Sequence, residues 1–239
     1  MSIISISGRM GSGKDLVGKI IQNLTAFPQD SVDECVKMIE NGYFSNAKWE
    51  IKRFSGKLKQ IASILLNIPV EKFEDREFKE LILGKEWGTI KENPINSIPG
   101  FENVDFIHLI TVREFLQKIG TECFRDGLHK NTWVNALFSD YKTKWVPTGD
   151  SVAEEDVSLE KEYPNWIITD TRFPNELEAV KERGGITIRV NRVVEKNHST
   201  HISETSLDDS EFNHVIDNSG TIYELVEKVK IILQEENII

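Results

Sequence analysis

The chain has 239 residues, of which 39% are hydrophobic and 28% charged, as in ordinary soluble globular proteins. This length suits one large α/β domain with insertions, and no apolar run reaches the roughly 18 residues that span a bilayer. The net charge of −10 argues against direct nucleic-acid binding over a large surface, which needs a clustered excess of Lys and Arg. The composition therefore favours a protein without membrane contact that binds small molecules.

Cellular location is suggested by the cysteines and by the first residues. Cys35 and Cys123 show neither metal-ligand nor disulfide spacing, which fits a reducing compartment. The first eight residues lack the basic segment and the long apolar run of a signal peptide. We therefore expect a cytoplasmic protein.

In the first half of the chain, an apolar strand at residues 3–7 precedes a glycine-rich loop and an amphipathic helix that starts near Leu16. A connector with a short helix leads to a strand at 49–54 and to a helix that Ser55 can cap. Glycines and prolines interrupt residues 69–106, which indicates an irregular insertion on the substrate side.

The next helix is predicted by a capping-box pattern at Thr111 and Glu114, and another covers residues 133–138. Residues 146–163 are rich in acids and read as a solvated loop or a hairpin.

The last third of the chain alternates strands with helices. Strands are predicted at 166–170, 187–190 and, at a sheet edge, 214–216, with helices at 176–183 and 221–234. This alternation predicts an α/β fold with a doubly wound, mostly parallel sheet flanked by helices.

Residues 8–14 match the phosphate-loop pattern G-x-x-x-x-G-K, with an apolar strand before it and a helix after it. Successive N–H groups of such a loop surround phosphate oxygens, and the lysine reaches the β- and γ-phosphates. Arg9 either lies in solvent or reaches the nucleotide. The pattern predicts a nucleoside triphosphate bound by Arg9, Gly11, Ser12, Gly13, Lys14, Asp15 and Leu16.

Asp15 departs from the general pattern, which has Ser or Thr with its hydroxyl on Mg²⁺ at this position. A carboxylate is a better ligand for a hard cation than a hydroxyl, so Asp15 can contact the metal directly or through water. We predict Asp15 as the protein's Mg²⁺ ligand.

A second acidic site follows the apolar strand at 166–169. Asp170 comes at the carboxyl end of that strand, where doubly wound folds bind ligands, and Arg172 and Glu176 follow it. An acid in this place holds Mg²⁺ through water in many phosphate-loop enzymes, and arginine stabilises the charge on a transferred phosphoryl group. The alternative is an Asp that caps a turn beside a surface Arg.

Other features remain open on the residues alone. Arg113 lies in the first turn of its helix, where a cation opposes the helix dipole, so it binds either a phosphate or an acidic side chain. Gly120 and Thr121 are predicted to end this helix early and to let a ligand approach the backbone. Trp133 either belongs to the core or forms a wall for a base.

The polar stretch after residue 190 holds His198, His201 and Glu204. Their spacing is only faintly that of a zinc site, since no further ligand is near. A lid that closes over phosphates is the preferred interpretation.

The chain resembles the deoxynucleoside monophosphate kinases of T4-like bacteriophages in four blocks, at residues 7–15, 112–121, 170–176 and 201–204, and in the tail at 215–220. The family's own phosphate loop carries Asp after its Lys, so Asp15 is part of the match. Residues 27–48 and 83–110 match poorly.

The resemblance implies a single phosphate-loop kinase domain over residues 1–239, with a monophosphate-binding insertion and a lid. Its subregions would be a core at 1–54 and 165–239, substrate-binding helices at 55–145 and the lid at 192–212. The resemblance places a set of residues around the monophosphate: Lys57, Arg76, Arg113, Gly120, Thr121, Trp133, Asp170, Arg172 and Glu176. Lys57, Arg76 and Thr121 are assigned from the resemblance rather than from their own pattern.

The implied activity is ATP-dependent phosphorylation of deoxynucleoside monophosphates, for DNA synthesis in the host cytoplasm. A homodimer is compatible with the resemblance. Transfer would be direct and in line, with Mg²⁺, Lys14, Arg113, Asp170 and Arg172 as the catalytic groups. Alternatives are another small-molecule kinase such as dephospho-coenzyme A kinase, a module that only binds nucleotide, and a nucleic-acid motor, which the acidic composition disfavours.

Overall fold

In a computed structural model of the chain, the structure describes residues 3–42, 48–92, 105–148, 158–192 and 205–239. The strands in these ranges are β1 (Ile3–Ser7), β2 (Trp49–Lys52), β3 (Thr89–Glu92), β4 (Asp105–His108), β5 (Lys144–Thr148), β6 (Ser158–Glu162), β7 (Asn165–Thr171), β8 (Ile186–Asn191) and β9 (His214–Asp217). The α-helices are α1 (Lys14–Ala26), α2 (Val32–Glu40), α3 (Gly56–Leu66), α4 (Val112–Gln117), α5 (Thr132–Phe138), α6 (Pro174–Lys181) and α7 (Ile222–Glu235).

The chain forms two compact units. The first comprises Met1–Phe54 and Val134–Ile239, and the second comprises Ser55–Trp133. The expectation of one kinase domain with the subregions given above stays a prediction.

The first unit contains a five-stranded sheet with the order β2-β7-β1-β8-β9, in which every neighbouring pair is parallel. The predicted doubly wound, mostly parallel α/β sheet is thereby confirmed, as is the edge position of the last strand. β1 lies at the centre, with Ser7 paired to Thr171 of β7 and to Arg189 of β8. The carboxyl ends of these three strands therefore meet at one edge, where such sheets bind ligands.

Successive strand residues point to opposite faces of the sheet. Helices cover both faces. Ile4 and Ile6 of β1 join a buried cluster with residues of α1, α2 and α7. On α6, which packs against β1 and β8, the buried residues Leu177 and Val180 lie outside this cluster. Because successive residues of β1 and β7 are buried, both faces of the sheet are covered, which explains the two helical layers.

The hairpin of β5 and β6 and the aromatic residues beside it also belong to the first unit. β5 and β6 pair antiparallel, which confirms the hairpin alternative for residues 146–163. The Tyr141 ring packs against Trp166 at 4.7 Å and stacks on Tyr163 at 5.0 Å between centroids.

The second unit has its own small core of Ala62, Phe73, Ile110, Val112 and Phe115. The predicted irregular insertion contains three short 3₁₀ helices, Val70–Glu74, Phe78–Glu80 and Lys85–Trp87. It also contains β3 and β4, an antiparallel pair that the irregular interpretation missed. Strand pairing overrides the weak local pattern here, because Ile90 pairs with Ile107 across the ladder.

The predicted end of the helix at Gly120 and Thr121 is wrong. The capping box at Thr111 and Glu114 is confirmed and begins α4, but the chain then continues as a π-helix over Lys118–Asp126. Gly120 serves close packing instead: a Cβ atom there would lie 2.9 Å from Cδ2 of Leu58. Glycine therefore marks a contact between neighbouring helices and not a helix terminus.

Candidate active site

The loop between β1 and α1 has the curled backbone that phosphate binding requires. Gly11 and Gly13 adopt φ angles of 82° and 97°, and the Ser12 N–H donates to the Arg9 carbonyl at 3.1 Å. Glycine is the residue that adopts such angles without strain. α1 begins at Lys14, directly after the loop, so the positive end of a 13-residue helix adjoins it.

Gly8 and Ser12 lie in a crowded part of this loop. A Cβ atom on Gly8 would collide with the Val190 carbonyl oxygen and lie 2.5 Å from Ser12 Oγ, so packing requires the first glycine of the motif. Ser12 Oγ is buried and has no hydrogen-bond partner within the described part of the chain. Buried hydroxyls normally have a partner, and a phosphate oxygen in the loop is a fitting one.

Lys14 is 8% exposed, and its ammonium group is held against its own loop. Its Nζ donates to the carbonyls of Gly8 at 2.7 Å and of Arg9 at 2.8 Å. The lysine therefore brings a positive charge to the phosphate loop.

Asp15 follows Lys14 and contacts two residues from neighbouring parts of the sheet, Arg53 directly after β2 and Thr169 in β7. Its Oδ1 accepts hydrogen bonds from Arg53 Nη2 at 2.9 Å and from Thr169 Oγ1 at 3.1 Å. Partial burial alone would raise the pKa of Asp15, but the Arg53 hydrogen bond and charge, then Thr169 and Lys14, outweigh burial and lower the pKa. The side chain is 66% exposed, so its ionised carboxylate is open to solvent.

Leu16, the last member of the predicted nucleotide-binding set, is partly buried against the core cluster of the first unit. Its side chain is therefore engaged in packing. Any contact with phosphate would come from its backbone N–H in the first turn of α1.

A bridged pair of arginines lies beside the phosphate loop. Asp208 binds Arg9 Nη2 at 2.6 Å through one oxygen and Arg189 Nη2 at 2.7 Å through the other. Arg189 also donates to Ser7 Oγ at 3.0 Å. Arg9, for which solvent and nucleotide were the alternatives, is 64% exposed and paired with Asp208.

A cavity of about 270 Å³ adjoins this group in the first unit. Its lining includes the guanidinium residues Arg9 and Arg192, the acidic residue Asp217, and the polar residues Ser12 and Asn191. The cavity therefore combines positive charge with hydrogen-bonding groups next to the phosphate loop.

The acidic residues at the end of β7 and in the first turn of α6 accept several hydrogen bonds. Asp170 Oδ1 accepts the Phe54 N–H at 2.8 Å. Glu176 is 3% exposed, and its Oε2 accepts the N–H groups of Arg172 at 2.8 Å and Phe173 at 3.1 Å, which caps α6. Glu176 therefore fixes the backbone that carries the Arg172 guanidinium.

In the second unit, Arg113 forms an ion pair with Glu80. Arg113 Nε and Nη2 donate to the same oxygen, Glu80 Oε1, at 2.8 and 2.6 Å. Of the two partners considered for Arg113, the structure shows the acidic side chain. This pair explains how a cation is held in the first turn of α4.

Trp133 is 7% exposed, and its Nε1 donates to the Gly120 carbonyl at 2.8 Å. Its ring packs against Phe124 with 5.4 Å between centroids. Of the two interpretations of Trp133, these contacts support a core residue. The hydrogen bond from Trp133 also anchors the π-helical segment that contains Gly120 and Thr121.

Lys57 and Arg76 lie elsewhere in the second unit. Lys57 is in the first turn of α3 and is partly buried, whereas Arg76 is exposed in a bend between two 3₁₀ helices. Asp75 shapes this bend, since its Oδ1 accepts the N–H groups of Glu77 and Phe78 at 2.8 and 3.3 Å.

Sequence reasoning missed several partners of the phosphate loop, namely Arg53, Thr169, Asp208 and Asn218. Arg53 and Thr169 lie at the carboxyl ends of predicted strands. Because doubly wound sheets bind ligands at that edge, their positions could have indicated that they lie near the loop. Asp208 lies in residues 205–212, the part of the predicted lid that the structure describes beyond Arg192. His198, His201 and Glu204 lie outside the described residues.

The described residues contain no group of three or more His, Cys, Asp or Glu side chains that could hold a metal ion. No helix in the described ranges is long and apolar enough to cross a membrane.

Comparison with known proteins identifies relatives. A model of the family described as deoxynucleotide monophosphate kinase matches residues 73–229. The deoxynucleotide monophosphate kinase of Enterobacteria phage T4 is 29% identical over 120 residues, which are 50% of this chain and 44% of that protein. The deoxynucleotide monophosphate kinase of Escherichia phage RB69 is 26% identical over 124 residues, 52% of this chain and 45% of that protein.

The match to a third relative is longer. The deoxynucleoside-5'-monophosphate kinase of Escherichia phage T5 is 23% identical over 214 residues, covering 75% of this chain and 72% of that protein. The chain therefore spans less than half the length of the T4 and RB69 relatives and almost three quarters of the T5 relative.

Proposed function

Because the chain belongs to the deoxynucleotide monophosphate kinase family, we propose that it transfers the γ-phosphoryl group of ATP to a deoxynucleoside monophosphate. The observation that carries the proposal is the phosphate loop. It has three glycines at positive φ, a buried Ser12 hydroxyl without a hydrogen-bond partner among the described residues, and Lys14 held against the loop. The family match begins at residue 73, so this loop lies outside it and supports the proposal independently.

In the proposed reaction, the loop N–H groups and the Lys14 ammonium bind the donor phosphates. Lys14 would exchange its bonds to the Gly8 and Arg9 carbonyls for bonds to phosphate oxygens. A phosphate monoester dianion is already a competent nucleophile, so the chain needs no strong general base. The chain then contributes positioning and charge stabilisation.

Mg²⁺, when bound, would neutralise charge on the β- and γ-phosphate oxygens. Asp15 is the residue proposed to hold it, directly or through water. The lowered pKa keeps the Asp15 carboxylate ionised at neutral pH, as a ligand must be.

For the acceptor, we propose Arg172 as a phosphate ligand. Arg172 is carried on a backbone fixed by Glu176, which suits a group that must meet developing charge. The phosphate-binding role of Arg113, which is paired with Glu80 in the second unit, stays a prediction. The roles of Lys57, Arg76, Gly120, Thr121, Trp133 and Asp170 at the monophosphate stay predictions.

An acceptor panel tests the proposal. With ATP and Mg²⁺, we expect ADP release when dGMP, dTMP, dAMP or dCMP is added, and none above background with dephospho-coenzyme A. The coupled ADP assay is run with each acceptor and without any. ADP release with dephospho-coenzyme A alone would assign the rival kinase activity, and ATP binding without acceptor-dependent turnover would assign a binding module.

Replacing Asp15 with asparagine should raise the Mg²⁺ concentration for half-maximal turnover by about tenfold, because an amide oxygen is a weaker ligand for a hard cation. The measurement is initial rate against Mg²⁺ at fixed ATP and acceptor. Asp33→Asn, at an exposed position in α2, is the matched control and should leave the Mg²⁺ curve in place. An unshifted curve for Asp15→Asn would remove Asp15 from the metal site.

The expected homodimer, the absence of direct nucleic-acid binding and the cytoplasmic location remain predictions.

A further inference from the structure

Asn218 joins two distant parts of the first unit at the phosphate loop. It follows β9 directly and is 7% exposed. Its Nδ2 donates to the Ser12 carbonyl at 2.8 Å, although the two residues are 206 positions apart. Its own N–H donates to the Asn191 carbonyl at 2.7 Å, so its backbone is fixed to the end of β8 while its side chain reaches the loop.

The neighbours of Asn218 leave it little freedom. Asp217 Oδ1 accepts both the N–H of Ser219 at 3.1 Å and its hydroxyl at 2.6 Å, which forms a local turn around Asn218. On the other side, a Cβ atom on Gly13 would collide with Asn218 Nδ2. The Asn218 amide and Gly13, the second glycine that the motif requires, therefore fit together closely.

The hydrogen bond from Asn218 Nδ2 to the Ser12 carbonyl holds the orientation of the Ser12–Gly13 peptide. A trans peptide is planar, so the Gly13 N–H points opposite to the Ser12 carbonyl. Because Asn218 holds that carbonyl, the Gly13 N–H points away from Asn218. A buried carbonyl without a donor would seek another partner, and rotation of the peptide would turn the Gly13 N–H with it.

We propose that Asn218 is a positioning residue for the donor nucleotide: its side chain fixes the Ser12–Gly13 peptide so that the loop amide is presented to phosphate. The inference rests on the proposed function for the identity of the donor, ATP. It adds a residue outside the motif to the phosphate-binding machinery. An apolar residue of similar size would fill the same space but would supply no donor to the Ser12 carbonyl.

The test compares Asn218→Ala with the isosteric Asn218→Asp. Both remove the N–H donor, and the second keeps the shape while placing a carboxylate oxygen against the Ser12 carbonyl. For either variant we expect the Kd for Mg·ATP, measured by calorimetry without acceptor, to rise about tenfold. The KM for ATP should rise in parallel, with the KM for the deoxynucleoside monophosphate unchanged.

Asn213→Ala is the matched control. Asn213 also braces β8 through its side chain, since its Oδ1 accepts the N–H and the hydroxyl of Thr187 at 2.9 and 2.8 Å. Its loss should lower the thermal unfolding midpoint without changing the Kd for Mg·ATP. If Asn218→Ala does not fold, Asn218→Asp carries the comparison.

Two results would overturn the inference: a wild-type Kd for Mg·ATP in folded Asn218 variants, or a rise that Asn213→Ala reproduces. Failure of the proposed function looks different. In that case the wild-type chain binds Mg·ATP but phosphorylates no deoxynucleoside monophosphate, and the calorimetric comparison still decides the role of Asn218.

Discussion

Replacing Lys14 with alanine is expected to lower kcat about a thousandfold, because the ammonium group is the charge that the loop supplies to the transferred phosphoryl group. The loss of folding stability should be only about 1 kcal/mol, since the bonds removed include two from Nζ to carbonyls of the loop itself. The measurements are acceptor-dependent ADP release at saturating ATP and thermal unfolding of the same preparations.

The control for this substitution lies on the same helix. Lys19→Ala removes an exposed lysine from α1, five residues beyond Lys14, and should keep wild-type turnover. Wild-type kcat in Lys14→Ala would reject phosphoryl transfer at this loop. Equal losses in both variants would trace the effect to the helix and not to the ammonium group.

Replacing Arg172 with alanine should lower kcat about a hundredfold, because its guanidinium is proposed to stabilise charge on the phosphoryl group in the transition state. The backbone at Arg172 should keep its place. Its N–H bonds to Glu176, and its carbonyl accepts from Ser206 Oγ at 2.5 Å, and neither contact uses the guanidinium. Kinetics at saturating concentrations of both substrates separate this loss from weaker binding.

Arg183→Ala is the matched control for Arg172→Ala. The Arg183 guanidinium lies 4.0 Å from the centroid of the Phe138 ring and donates to the Ala179 carbonyl at 2.7 Å. Its removal should cost stability but not turnover. If Arg172→Ala turns over like the wild type, or if Arg183→Ala is equally slow, Arg172 has no catalytic role.

The parts of the fold that were predictable follow from local pattern. Apolar periodicity predicted the five strands of the main sheet, and the Thr111 and Glu114 spacing predicted where α4 begins. The phosphate loop was predictable because glycine positions dictate its backbone conformation. These signals all act within a few residues along the chain.

What the sequence did not predict depends on contacts between distant residues. Asn218 and Ser12 are 206 positions apart, and no local pattern marks an asparagine as the donor to one particular carbonyl. Glycine at position 120 favours a helix end because glycine is common there, whereas in the structure it lets Leu58 approach. The pairing of β3 with β4 was missed for the same reason, since a strand is stabilised by its partner.

The bridge from Asp208 to Arg9 and Arg189 means that the chain carries its own counterion beside the phosphate loop. Without Asp208, the exposed Arg9 and the more buried Arg189 would attract polyanions by charge alone. A nucleotide phosphate that took the place of the Asp208 carboxylate would exchange one ion pair for another, so few solvent ions would be released. An acidic chain with a net charge of −10 can thus keep arginines at this loop while discriminating against anions that bind by charge alone.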